Sequence, residues 1–308
     1  MLTVNNLVKS YGKLQVLKGI SFQISRGKIY GFLGENGAGK TTTMSIIAGL
    51  INYDSGEISF NGEGFKKNKR ELLRKIGYLP QTPVFYGYLS GYEYLDFIGT
   101  ISGMPREKIK KRSSELLELV GVKEAASRKI GGYSGGMLQR FGLAVAMFNS
   151  PEILILDEPT SSLDPQGRME VLELIASLRA EGVTVFLSTH ILNDIERVCD
   201  EVSILHEGKI ILSQRLEDLK KDYIQPIYDI EFEENLGNLS EAFKKYSWIE
   251  AVKQDRNSLS IYVKDVNRAQ QELLNIIAAF NKPVLSFSLR KSNLEDIFIR
   301  LVNKNVNI

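Results

Sequence analysis

Gly34-Glu35-Asn36-Gly37-Ala38-Gly39-Lys40-Thr41 is the stretch of this chain best equipped for chemistry. It follows the spacing G-x-x-x-x-G-K-[ST], and each fixed position has a physical purpose. Glycines let the backbone curl so that consecutive N–H groups point inward at anionic oxygens. Lys40 can reach the outer phosphates of a polyphosphate, and the Thr41 hydroxyl can ligate Mg2+. An apolar strand, Ile29 to Leu33, precedes the stretch. A helix over Thr41 to Leu50, closed by Gly49, follows it and adds the positive end of its dipole. Pattern and flanks together read as a phosphate cradle made by Gly34, Asn36, Gly37, Ala38, Gly39, Lys40, Thr41 and Thr42. The alternative is a Gly-rich strand-to-helix turn that binds nothing.

A second element complements the cradle. Ile153-Leu154-Ile155-Leu156 runs straight into Asp157-Glu158-Pro159. Two adjacent acids at the end of a buried strand are costly unless they face a metal or a substrate. Asp157 would hold Mg2+ through water, and Glu158 would polarise an attacking water as general base. The competing reading is a strand-end turn with both acids in solvent; the cradle upstream weakens it.

With these residues the sequence resembles the nucleotide-binding subunit of ABC transporters, over about Leu2 to Leu219. Tyr133-Ser134-Gly135-Gly136-Met137-Leu138-Gln139-Arg140 is similar to the family signature, departing from the usual Leu-Ser-Gly-Gly-Gln at Tyr133 and Met137. The resemblance implies that Ser134, Gly135 and Gly136 start a helix and complete the ATP site of the opposite subunit. A hydroxyl, glycine amides and a helix N-terminus suit a γ-phosphate. Tyr11 stands where the family stacks an aromatic ring on adenine; a packing residue is the alternative. Gln81 holds the glutamine-loop position, contacting Mg2+ or the attacking water. Ser161-Ser162-Leu163-Asp164 resembles the D-loop that crosses the dimer interface, with serine where alanine is more usual. His190, after the strand Val183 to Leu187, matches the switch histidine that would bond the γ-phosphate and hold Glu158 and the water. His206, beside Glu207-Gly208, reads as a turn residue. The family implies ATP and Mg2+ as cofactors and a second copy of the chain as partner on ATP. It also implies a separate transmembrane permease and a place on the cytoplasmic face of the cell membrane.

The elements that must position these residues follow from hydrophobic pattern. The fold class expected is α/β: a P-loop NTPase (ABC ATPase) core over residues 1–219, with a small C-terminal α+β domain over 220–308. Ile153 to Leu156 and Val183 to Leu187 are apolar runs of the kind a parallel sheet buries on both faces. Between 88 and 148 the spacing turns helical, with Leu116, Leu119 and Val120 on one face. This reads as a helical insertion between the phosphate strand and the next core strand. After Pro226 strict alternation sets in at Ile230 and Phe232, at Leu259, Ile261 and Val263, and at Leu285, Phe287 and Leu289. Helical faces lie between, and Ile249 to Gln254 supplies a fourth strand. The order β-α-β-β-α-β points to a ferredoxin-like unit. A last helix is expected from the Ser292–Glu295 capping box and the stripe Leu294, Ile297, Phe298 and Leu301. The tail from Ser292 to Phe298 is similar to tails on ABC subunits of drug, peptide-antibiotic and lipid exporters, which favours export.

Composition narrows the classes. The 39 basic and 37 acidic residues nearly cancel, so no global field recruits nucleic acid. The basic stretches Lys66 to Lys75 and Arg106 to Arg112 read as solvated helix faces rather than polyanion sites. The lone Cys199 excludes an intrachain disulfide and fits a reducing compartment. Met1 to Ser10 lacks a signal-peptide pattern, and no apolar run approaches the roughly 20 residues of a membrane span. A transport role therefore needs a membrane partner. A soluble ABC ATPase acting on a ribosome or nucleic acid is the rival reading. Its relatives carry two cassettes or long coiled coils, and neither is found here. A non-enzymatic ATP-binding module would predict damage at Glu158 or His190, and both are intact.

Overall fold

A hairpin of β1 (Leu2–Tyr11) and β2 (Leu14–Ile24) opens the chain, and β3 (Ile29–Gly34) then leads through the cradle turn into α1 (Lys40–Ile47). These elements come from a computed structural model describing residues 1–291, apart from 66–67, 224–225, 235, 238 and 244, together with 294, 296 and 297. β4 (Ser55–Phe60) and β5 (Glu63–Gly64) return to the hairpin, giving an antiparallel sheet ordered β2-β1-β4-β5. After α2 (Lys69–Leu73) comes β6 (Ile76–Leu79), and then three helices, α3 (Gly91–Ile101), α4 (Arg106–Leu119) and α5 (Gly135–Met147). The rest of the unit is β7 (Ile153–Asp157), α6 (Pro165–Ala180), β8 (Thr184–Thr189), α7 (Leu192–Val198), β9 (Glu201–His206) and β10 (Lys209–Arg215). The second sheet is ordered β10-β9-β3-β8-β7-β6, parallel except for β10.

Residues of β3, β7 and β8 are buried along their whole length, which is why these strands read as continuous apolar runs. Phe22 of β2 packs on Phe32 of β3 and Phe186 of β8, with ring centroids 5.4 and 5.6 Å away, so one aromatic cluster ties the two sheets together. That cluster anchors β3, and β3 aims the cradle.

Several expectations need correction. α1 stops at Ile47 because Gly49 takes a left-handed φ of 75° just beyond it. The insertion does not follow the phosphate strand directly: β6 intervenes in the chain and joins the same sheet. Ile-Gly-Tyr-Leu is short and broken by glycine, so β6 has no periodic pattern in the sequence. Gly77 is required there, since a Cβ would collide with the Ala146 carbonyl oxygen of α5. Finally, Leu119 of α4 is exposed, while Ile109, Ser113, Leu116, Leu117 and Val120 are buried. At 100° per residue, Leu119 lies roughly 100° from the centre of that face. The basic residues Arg106 to Lys111 of α4 are solvated as expected. Arg112 instead donates to the Met147 and Phe148 carbonyls at the end of α5, 2.9 and 3.4 Å away.

The chain divides into two compact units, Met1–Leu216 and Glu217–Ile308. The second contains α8 (Leu216–Tyr223), β11 (Pro226–Phe232), α9 (Ser240–Phe243), β12 (Ile249–Asp255), β13 (Ser258–Val263), α10 (Val266–Ala278) and β14 (Val284–Lys291). Its antiparallel sheet runs β12-β13-β11-β14, the ferredoxin-like order. Tyr228, Ile230, Phe232, Leu259, Ile261 and Val263 meet Ala269, Leu273 and Ile277 of α10. Leu285, Phe287 and Leu289 do not join this core. β14 is an edge strand outside the face that α10 covers, and all three stay exposed, with only Phe287 reaching Tyr228 at 5.5 Å. The Ser292–Glu295 box, Phe298 and Leu301 lie outside the described residues, whereas Leu294 and Ile297 are buried. Between them, Asp296 is gripped by Arg290, which also holds Asp229. The Tyr262 hydroxyl donates to Asp296 over 2.9 Å, and burial with that carboxylate pushes the phenol up to about 12.

Arg290→Met is expected to remove the guanidinium that bridges Asp229 and buried Asp296. The cost should be about 2 kcal/mol, below that of a fully buried pair because the guanidinium is partly solvated. Trp248, the single tryptophan, lies in this unit's core, so its fluorescence in a urea titration reads the loss directly. An unchanged midpoint would show that the cluster carries no stability.

Candidate active site

Parallel register brings the functional stretches to one edge. Asp157 of β7 pairs with Ser188 of β8, Leu33 of β3 pairs with Thr189, and Gly34 pairs with Leu205 of β9. The cradle turn and the ends of β7 and β8 thus meet at the carboxyl ends of the strands, where open α/β sheets place ligands.

The cradle has the geometry its composition demands. Gly39 has φ 111°, closed to other residues, and a Cβ there would stand 2.6 Å from Leu17 Cδ2. α1 carries no side-chain cap and no acid in its first turn, so the N–H groups at its start are left for an anion. Lys40 is 6% exposed, its ammonium donating to the Gly34 and Glu35 carbonyls at 2.7 and 3.2 Å. Thr41 and Asn36 are exposed and Ala38 is buried, while Thr42 is half-buried.

Glu158 lies between two cationic or ring nitrogens. Its Oε1 is 3.4 Å from Lys40 Nζ and its Oε2 is 2.9 Å from His190 Nδ1. With the carboxylate ionised, Nδ1–H donates, and Nε2 is the ring nitrogen left over. Glu158 is 3% exposed and adopts φ 50°, a left-handed backbone that costs a non-glycine residue about 1–2 kcal/mol. Asp157 is fully buried. Burial pushes its carboxyl above the usual carboxylate range, and the Ser188 and Thr41 hydroxyls pull it back. Ser188 Oγ donates to Asp157 Oδ1 over 2.6 Å and accepts from the Glu158 N–H over 3.0 Å.

A Mg2+ ion fits these residues. Asp157 Oδ2 is buried and receives no hydrogen bond, and the Thr41 hydroxyl is close enough to influence its proton affinity. An orphaned buried carboxylate oxygen is what a hard cation would satisfy. Among the described residues no three His, Cys, Asp or Glu side chains are arranged to hold a metal ion by themselves. A Mg2+ site completed by phosphate oxygens and water needs no such cluster.

The other candidates sit apart from this centre. Gln81 is exposed, two residues beyond β6, and makes no hydrogen bond to the cradle. Tyr11 ends β1, 50% exposed, with Lys9 Nζ 5.2 Å from its ring centroid, so it is no core residue. Ser134 caps α5 by accepting from Met137 N over 3.3 Å, and Gly135 and Gly136 form the first turn. Tyr133 is buried and donates to the Ala125 carbonyl, which accommodates one of the signature's departures inside the insertion. Asp164 caps α6 through Gly167 N at 2.8 Å. Leu163, before it, lies against Gly136, where a Cβ would come within 3.2 Å.

Sequence reasoning missed a buried tie between these stretches. Asp194, in the first turn of α7, accepts from Thr160 Oγ1 and from Arg168 Nε, each over 2.7 Å. It thereby joins the turn after Glu158, the helix after Asp164 and the stretch after His190. The only sequence signal was an acid at the start of a short helix, which commonly faces solvent.

The family described as ABC transporter matches residues 17–161, and that of the DrrA1-3-like ATP-binding protein C-terminal domain matches 215–302. An uncharacterised ABC transporter ATP-binding protein of Bacillus subtilis, YxlF, is 39% identical over 303 residues, 98% of this chain and 100% of its own. The linearmycin resistance ATP-binding protein of that organism is 35% identical over 99% of both chains. The bacitracin transport ATP-binding protein of Bacillus licheniformis is 37% identical over 98% of this chain and 97% of its own. A solved ATP-binding subunit of an ABC transporter aligns with a TM-score of 0.66 and 33% identity over 72% of this chain and 93% of that one. A dimeric ATP-binding cassette in a post-hydrolysis state with ADP and Pi aligns at 0.65 and 26% identity, over 70% of this chain and 99% of that one.

Asp194→Ala is expected to strand the Arg168 guanidinium and the Thr160 hydroxyl. The loss should be about 2–3 kcal/mol, read as a lower urea midpoint at unchanged slope. Asp194→Asn, which keeps an acceptor, should lose less; equal losses would count against the tie.

Proposed function

The chain belongs to the ABC transporter ATP-binding proteins, and we propose that two copies close around ATP and drive export of an antibiotic-like cargo through a separate membrane-spanning permease. The observation that carries this is buried Glu158, held between Lys40 and His190 beside the free oxygen of Asp157. ATP hydrolysis is the family's activity. Relatives matched over their whole length are named for linearmycin resistance and bacitracin transport, which supports export. They lend nothing to a ribosomal or nucleic-acid role.

In this reading the backbone from Gly34 to Gly39 and the start of α1, with Thr42, cradle the phosphates, and Lys40 neutralises them. Tyr11 stacks on adenine. When bound, Mg2+ screens phosphate charge, and Thr41, Asp157 and Gln81 are the residues that would hold it. Glu158 accepts a proton from the attacking water, and His190 orients Glu158 through Nδ1. Ser134, Gly135 and Gly136 of a second copy, with the loop ending at Asp164, complete the site. Residues 1–219 act as the ATPase and 220–308 as an accessory domain that tunes dimer lifetime or partner docking.

Among the described residues no helix is long and apolar enough to cross a membrane. In this reading the permease is a separate chain and the ATPase works on its cytoplasmic face. Its landing site lies after Gln81. Phe85 turns inward onto Phe141 and Tyr94, with centroids 5.0 and 5.2 Å away. Tyr86 and Tyr88 turn outward, 52% and 69% exposed and 5.8 Å apart, with Phe97 and Val84 also exposed nearby in sequence. Exposed tyrosines with large apolar faces and polar tips suit an interface.

Glu158→Gln should bind ATP yet lose turnover by about 100-fold or more, because an amide cannot accept the proton. Lys40→Ala should weaken binding itself. Hydrolysis by Glu158→Gln within about tenfold of the parent chain would sink the general-base role.

Changing Tyr86 and Tyr88 together to Ser should leave ATPase of the isolated subunit near normal but abolish co-purification with the permease. Undiminished permease binding would locate the contact elsewhere.

A further inference from the structure

Ser188 touches both acids at the end of β7 through a single atom, its Oγ. It is fully buried near the end of β8, in parallel register with Asp157 on one side and Phe32 on the other. The preceding residues, Val185-Phe186-Leu187, are apolar. A hydroxyl in such a place is unfavourable unless bonded. Its bonds go to Asp157 Oδ1 at 2.6 Å and to the Glu158 N–H at 3.0 Å, as donor to the first and acceptor from the second.

Each bond does something specific. A carboxylate turns about a broad, roughly two-fold terminal torsion, so its two oxygens exchange places easily unless one is held. Ser188 holds Oδ1, which leaves Oδ2 as the buried oxygen without a hydrogen bond. The second bond acts on backbone. Glu158 sits at φ 50°, where a non-glycine residue stays only if its surroundings over-determine it. The N–H bond to Ser188 is part of that restraint, and the Glu158 carboxylate accordingly meets Lys40 at 3.4 Å and His190 at 2.9 Å.

We infer that Ser188 is a positioning residue for ATP hydrolysis, its hydroxyl selecting the Asp157 oxygen that faces the metal while holding the backbone of the general base. This rests on the ATPase reading above. Ser188 is fully buried and acts through its two neighbours. Three roles thus converge on a seven-residue run: Thr184 ties Gly27 N at the start of β8, Ser188 sets the acids, and His190 meets the base.

The test compares Ser188→Thr with Ser188→Val in the full-length chain, because these differ only by a hydroxyl against a methyl at one volume; Ser188→Ala is the third arm. Affinity for the non-hydrolysable β,γ-imido analogue of ATP is measured by calorimetry in EDTA and in Mg2+. Hydrolysis of ATP is measured alongside, with thermal unfolding as the folding control. Val and Ala should keep the EDTA affinity within about twofold of Thr, but shrink the gain on adding Mg2+ by about tenfold and kcat by about tenfold or more, the scale of one hydrogen bond to a charged group. Thr should retain both. A role in packing alone would move the melting midpoint and leave the Mg2+ gain and kcat of Val equal to those of Thr, and that result overturns the assignment. A parent chain with neither a Mg2+ gain nor hydrolysis would overturn the ATPase reading itself, a failure distinguishable from that of Ser188.

Discussion

Lys40, Asp157 and Glu158 are almost entirely withdrawn from water in one small region, and the rest of the cassette is arranged around that fact. A buried charge without partners costs several kcal/mol, so each of the three must be paired or bonded. Lys40 is met by two carbonyls and Glu158, Glu158 by Lys40 and His190, and Asp157 by Ser188. The pairing holds only while β3, β7 and β8 keep their parallel register, because a slip of one residue would turn every side chain of a strand to its other face. The aromatic cluster of Phe22, Phe32 and Phe186 therefore serves the site as well as the core, since it locks two of those strands to the neighbouring sheet.

Around this centre the polar surroundings are uneven. Asp157 keeps one oxygen unsatisfied while nearly everything adjacent is bonded. Glu158 keeps a strained backbone while its carboxylate is fully engaged. Departures of this kind concentrate where a protein does chemistry, because stability is given up locally and recovered in the surrounding core. The tie through Asp194 extends the arrangement outward, so that the turn after Glu158 and the helix after Asp164 cannot shift independently.

Elsewhere in the chain other means of organisation operate. Just before the helical insertion, neighbouring residues Phe85 and Tyr86 point in opposite senses, one filling the space beside Phe141 and one facing solvent. In the second unit a single guanidinium, Arg290, joins a strand residue, Asp229, to Asp296 beyond the last strand. Its edge strand β14 leaves Leu285 and Leu289 to solvent, although alternation alone would assign them to a core. Alternation says which residues share a face of a strand, and only the position of α10 says which part of that face is covered.

The cradle, the buried strands β3, β7 and β8, and the β-α-β-β-α-β order of the second unit were legible in the residues themselves, because each depends on spacing within a few positions. Glycine placement, apolar runs and alternation are local properties, and local physics decides them. The short strand β6 was not legible, since four residues broken by Gly77 carry no periodicity. Nor was Leu119's exposure, which depended on where along the arc of α4 the neighbouring helices settle. Ser188, Thr160, Arg168 and Asp194 carry no signal of their own. Their partners lie 30, 31, 34 and 26 positions away in the chain, and only strand register and helix packing bring them within hydrogen-bonding distance. The sequence by itself thus determined which groups could hold a polyphosphate. The tertiary structure decided which oxygen of Asp157 is free and where Glu158 points, because those depend on contacts between segments that meet only in the folded chain.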